Sequence, residues 1–184
     1  KLFVILVLLL TVAVTFNSCK SCNKGKTDVV KTDTVKIPAL EDVTNHIKKD
    51  SLNPNLWFQR AQIYAESKDY KSANTDMYIA LSLDSTQPEF YLFSAELFKR
   101  SGDTQRGIAL MNKAIGLDSS NTKFYIKAAE LAYIDTNLSK HYQVALNYLN
   151  RAIEHDMQNP DIYFFKGTVY KEMGDTTRAL SSFQ

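Results

Sequence analysis

Side chains able to do chemistry are few in this sequence of 184 residues, and most stand alone. Its two cysteines form a Cys-x-x-Cys, Cys19 to Cys22, and its three histidines are His46, His141 and His155. Such a cysteine pair can supply a redox dithiol or half of a zinc site. The first needs a folded context and the second needs two further ligands. Here the pair lies in a polar stretch, with no second cysteine pair and no His-x₃₋₅-His after it. His155 falls where a helix's last turn is expected, and there an imidazole suits the helix dipole. No Ser-His-Asp order, paired-carboxylate motif or glycine-rich phosphate loop is present. "GDTQRG" and "GDTTRA" read instead as junctions between helices, with Asp or Thr as caps. The residues therefore predict no enzyme activity, no metal and no cofactor.

The elements that hold these residues are legible from composition. A chain that is 45% hydrophobic and 23% charged has the makings of a globular core. A net charge of +2 gives no strong pull toward nucleic acid, and the charge is unevenly placed. Residues 20–36 carry five lysines against two aspartates, whereas from Ile37 onward there are 16 basic and 18 acidic residues. The basic excess is thus confined to a segment of Lys, Thr, Asp and Ser without periodicity, which reads as a flexible tether.

Ahead of it, "LFVILVLLLTVAVTF" runs from Leu2 to Phe16 without a charge. That is short of the roughly 20 apolar residues of a spanning helix but fits the apolar region of a secretory signal peptide. "FNSC", Phe16 to Cys19, directly follows and resembles the lipobox of bacterial lipoproteins, with Phe16 in place of the usual Leu. The resemblance implies cleavage after residue 18, a lipid on Cys19, and a domain tethered to a membrane by residues 19–37. Several acyl chains hold a protein at a bilayer where one is marginal. Localisation in a bacterial cell envelope follows. Lys20 after the cysteine favours the outer membrane, and an inner-membrane signal anchor is the alternative. Cys22 is left as a thiol near the anchor.

The rest of the chain repeats. Small residues recur at Ala61, Ala95, Ala129 and Gly167, at intervals of 34, 34 and 38. Ala73, Gly107, Ala145 and Ala179 form a second series, and Ala80, Ala114 and Ala152 a third. The bulky residues Trp57, Tyr91, Tyr125 and Tyr163 keep step, as do Met77, Met111, Leu149 and Phe183. All five agree if four residues are inserted within "IDTNLSKH", between Ala129 and Ala145. Helix pairs crossing at small residues would produce this pattern.

A period of 34 with this grammar resembles the tetratricopeptide repeat. The resemblance covers about residues 38–184, with Ser85, Ser119 and Met157 where the family usually has proline. It implies an all-α, right-handed solenoid of helical hairpins. Residues 38–53 would cap repeats at 54–87, 88–121, 122–159 and a partial 160–184. Ala179, Leu180 and Phe183 would form a half-covered apolar stripe, so the natural chain is expected to run on.

By the same resemblance, the first helices line a concave groove. Its residues here would be Phe58, Gln62, Leu92, Glu96, Ile126, Glu130, Phe164 and Phe165. Phe58 and Gln62 replace the Lys and Asn of the family's carboxylate clamp, so that chemistry is not expected. An apolar groove edged by acids suits a protein or peptide with apolar anchors and basic flanks. The implied function is a lipid-anchored scaffold for protein–protein interaction. The alternative is a capture domain of a larger enzyme or secretion machine.

Overall fold

The computed structural model describes residues 38–137 and 140–184. The leader, Cys19 and the tether lie outside the described residues. Within them the chain forms α1 (Pro38–Lys49), α2 (Pro54–Glu66), α3 (Tyr70–Leu83), α4 (Pro88–Arg100) and α5 (Thr104–Leu117). It continues with α6 (Thr122–Ile134), α7 (His141–His155), α8 (Pro160–Glu172) and α9 (Thr176–Phe183). Helices α2 and α3, α4 and α5, α6 and α7, and α8 and α9 pair as hairpins that stack in order, with α1 against α2. The fold is the expected all-α repeat solenoid.

Local chemistry sets the helix starts. Asn53, Asn121 and Asn159 precede first helices, and each side chain accepts a backbone N–H two residues on. Asp69, Asp103 and Asp175 precede second helices and accept from the residue three on. Each cap satisfies an N–H that the helix leaves without a partner. Within the short turns, Gly102 and Gly174 have φ of 80° and 78°, where a side chain would be strained. The lengthened turn between α6 and α7 departs from this scheme. Lys140 starts α7 at φ 60° with no side-chain cap.

The bulky series does more than fill space. The hydroxyls of Tyr91, Tyr125 and Tyr163 each donate to a carbonyl six residues upstream, on Ser85, Ser119 and Met157, at 3.0 Å. Trp57 Nε1 does the same to Ser51 at 2.9 Å. Every hairpin therefore ties down the linker that leads into it.

Two apolar clusters fill the interior. One joins Ala61, Ala73, Met77 and Ala80 to Phe90 and Leu97. The other runs from Tyr91, Leu92 and Ala95 through α5, α6 and α7 to Val169. The small series sits where helices touch. A Cβ on Gly107 would stand 3.1 Å from Leu131 Cδ1 and 3.4 Å from the Ala95 carbonyl oxygen. Against the first cluster, the buried Asp76 carboxylate takes two hydrogen bonds of 2.7 Å from Arg60. The Arg60 guanidinium also lies 4.8 Å from the Trp57 ring centroid.

Two outcomes follow for stability. Ala95→Leu overpacks a filled crossing and should cost about 1–3 kcal/mol in urea unfolding. His141→Ala, at the long turn, should stay within roughly 0.5 kcal/mol. Equal effects would contradict the packing. Arg60→Ala strands a buried carboxylate and should cost about 3 kcal/mol, read by fluorescence of the single tryptophan, Trp57.

Candidate functional site

First helices of successive hairpins stand side by side, and their outward side chains form one face. Three of them enclose a cleft of about 270 Å³. Helix α2 gives Phe58 and Gln62, α4 gives Leu92, Phe93 and Glu96, and α6 gives Lys123 and Lys127. Phe58 meets Phe93 edge-on with ring centroids 5.4 Å apart, and it leans on Phe90 at 4.9 Å. Leu92, 7% exposed, forms part of the apolar floor. Gln62 is exposed at the rim and brings both a donor and an acceptor.

The acids of this face are neutralised. Lys127 Nζ lies 2.7 Å from Glu96 Oε1 and 2.9 Å from Glu130 Oε2. Lys99 pairs with the other oxygen of Glu130. Burial alone would push the Glu130 carboxyl up, but hydrogen bonds from Lys99 and Lys127 outweigh it and hold the group below its ordinary value. Lys127 mirrors this: burial would lower it, and bonds to Glu96 and Glu130 raise it. These four charges sum to zero. The expected acidic rim is thereby corrected, and with it the motive for basic flanks on a partner.

Of the expected groove residues, Phe58, Gln62, Leu92 and Glu96 meet at the cleft. Glu130 adjoins it through Lys127. Ile126 is half-buried against the larger core. Phe165 packs edge-on against Tyr133, with centroids 5.6 Å apart, farther along the solenoid. Phe164 lies apart from this cleft. It is 67% exposed and lies beside Phe183 over a separate hollow of about 520 Å³ at the end of the last hairpin. It shares the register of Leu92 at intervals of 34 and 38 through Ile126.

Phe93, Lys99, Lys127 and Tyr133 belong to this face and were not among the expected residues. A signal for two of them was present, since Phe93 and Lys127 share the register of Phe165 at intervals of 34 and 38. The histidines lie apart from the cleft. His46 sits 3.7 Å from Asp42, the His141 ring lies tilted against Tyr142 with centroids 4.0 Å apart, and His155 stacks on Tyr125 at 5.3 Å.

Stacked helical hairpins with a side-chain cleft over consecutive first helices define the class: a helical-repeat protein. Residues 160–184 match the sequence profile described as tetratricopeptide repeat, and the fold is that of tetratricopeptide repeat proteins. MamA from Desulfovibrio magneticus RS-1 is similar at 15% identity over 79% of this chain and 80% of its own, with a TM-score of 0.69. YrrB, described as a TPR protein with an unusual peptide-binding site, is similar at 15% over 79% and 73%, with a TM-score of 0.64. The first TPR of Spaghetti (RPAP3), solved with the HSP90 peptide SRMEEVD, is similar at 16% over 68% and 96%, with a TM-score of 0.58. At such identities the likeness concerns the fold. No curated protein matches by sequence.

The paired charges make a pH prediction. A carboxyl held low in the folded state stabilises above its unfolded value and loses that contribution as pH falls through its folded value. Unfolding free energies from pH 7 to pH 3 should therefore fall more steeply below about pH 5 for the natural chain than for Glu130→Gln. Superimposable profiles would show that the lysines do not hold Glu130.

Proposed function

We propose that the chain is a lipid-anchored scaffold whose first-helix cleft holds a segment of a protein partner in a bacterial envelope assembly. One observation carries the binding part. An apolar floor of Leu92, Phe58 and Phe93 opens beside the two-way hydrogen-bonding Gln62 and the loosely paired Lys123 and Glu89, 4.0 Å apart. Such a site suits one aromatic or branched aliphatic anchor on an extended or helical segment, with its backbone or a polar side chain meeting Gln62. The surrounding charges are paired, so shape and the anchor set specificity more than long-range attraction does. Peptide-bound and peptide-binding proteins among those of similar fold support this reading. The slight acidity of the repeat region makes nucleic acid an unsuitable partner.

The anchoring part rests on the apolar run ending at "FNSC". Outer-membrane residence is the favoured location, through acyl chains on Cys19.

Both parts are testable. A photo-crosslinking residue at Gln62 should capture a partner in cells, whereas one at the exposed Tyr78 on α3 should not. Gln62→Arg blocks the cleft from an exposed position and should weaken that partner's binding about tenfold or more while leaving helix content unchanged. Equal capture from both sites would remove the cleft from the proposal. Cys19→Ala should abolish fatty-acid labelling and release the protein from the membrane fraction. Undiminished labelling would rule out acylation at this cysteine.

A further inference from the structure

Across the first helices one register row runs from Phe93 on α4 through Lys127 on α6 to Phe165 on α8. Its ends are aromatic and its middle is a cation. Phe93 walls the cleft with Phe58 and Leu92. Phe165 meets Tyr133 edge-on, with centroids 5.6 Å apart, and Tyr142 lies 5.8 Å from the same Tyr133 ring. Tyr133 and Phe165 are only half-buried, which leaves a second apolar surface on this face. It is particular to this hairpin. Where α6 has Tyr133, the same register holds Ala65 on α2, Lys99 on α4 and Lys171 on α8.

Between the two aromatic surfaces lies the array of Lys127, Glu96, Glu130 and Lys99, whose charges cancel. Cancelled charge still leaves hydrogen-bonding capacity. The Lys127 ammonium has three N–H groups, and its pairing with Glu96 and Glu130 leaves one for a further acceptor. Each carboxylate oxygen can accept more than one bond. An extended segment presents its backbone N–H and C=O groups to such an array, whereas an α-helix satisfies its own internally. A cleft of about 270 Å³ also takes a side chain rather than the body of a helix, which is about 10–12 Å across.

We infer that the partner segment lies extended over α4, α6 and α8 and carries two large apolar anchors, one in the cleft and one on Tyr133 and Phe165, with uncharged residues between them. The inference rests on the cleft being the binding site, as proposed above. Packed helices lie about 10 Å apart, so the two steps from α4 to α8 span about 20 Å. At about 3.3 Å per residue, an extended chain covers that distance in about six residues. A charged residue between the anchors would have to displace a bond within the array, which is why the intervening residues are neutral.

The test is selection of a displayed library of random peptides, each of about 16 residues and so long enough to cross the face extended. The purified full chain is the target, with Gln62→Arg and Tyr133→Lys selected in parallel. Lysine occupies the Tyr133 position in α4 and α8, so the second variant suits the fold, and circular dichroism checks it. Peptides enriched on the natural chain should carry two large apolar residues about five to seven positions apart, with no charge between them. Their affinity should fall about tenfold in Gln62→Arg and about fivefold or more in Tyr133→Lys. Single-anchor peptides that bind Tyr133→Lys undiminished would overturn the second anchor site and leave the cleft standing. Anchors at helical spacing would overturn the extended course. Peptides that bind Gln62→Arg undiminished, or no enrichment at all, would remove the cleft and this inference with it. Because anchor spacing is read on the natural chain, the outcome does not depend on how well either variant folds.

Discussion

The bond from an aromatic side chain to the carbonyl six residues before it is the constraint on which the stack depends. A hairpin of two helices cannot bury its apolar face alone, so each must meet its neighbour at a defined angle. The segment between hairpins sets that angle, and here it lacks the proline that would stiffen it at 85, 119 and 157. Tyr91, Tyr125 and Tyr163 supply the restraint from within the next helix. Their rings fill the inter-helix space and their hydroxyls fix the linker. Cations from the same hairpin cover two of the rings, with Lys113 Nζ 5.8 Å from the Tyr91 centroid and the Arg151 guanidinium 4.9 Å from that of Tyr125. Trp57 plays the same part at the first linker, with Arg60 over its ring.

What could be read from the sequence follows from how local each cause is. Crossing residues must be small and linker aromatics must be large whatever lies farther away, so both left synchronised series. The cleft was legible in part. Phe58, Gln62, Leu92 and Glu96 stand at positions whose direction is fixed by helix register alone. The neutralisation of Glu96 and Glu130 was not seen because it is a relation between hairpins. Lys99 and Glu130 are 31 residues apart, as are Glu96 and Lys127. In a solenoid of period 34, that separation places two first-helix residues side by side, one turn out of step. Phe164 illustrates the complementary limit: its register is that of Leu92, but a side chain's surroundings depend on what is stacked beside it and not on register alone.

Paired charges also shape what the face can select. Ion pairs this exposed contribute little to stability, on the order of 1 kcal/mol or less each. Their effect on binding is larger, because a partner must leave them intact or replace their bonds. A segment that placed a carboxylate over Lys127 would compete with Glu96 and Glu130 for the same ammonium. On the proposed reading, the face would disfavour strongly charged segments of either sign and leave the aromatic cleft as the attractive feature.

Helix α4 lends residues to both interior clusters, Phe90 and Leu97 to one and Tyr91, Leu92 and Ala95 to the other. It also carries Phe93 and Glu96 of the cleft. In a one-dimensional stack, cooperativity is transmitted only between neighbours. A wall common to two cores is then the member through which opening at one end is felt at the other. On the proposed reading, a ligand seated on Phe93 would press on that wall from outside. Its binding energy would then be felt through α4 by both cores, and occupancy would stiffen the solenoid beyond the point of contact.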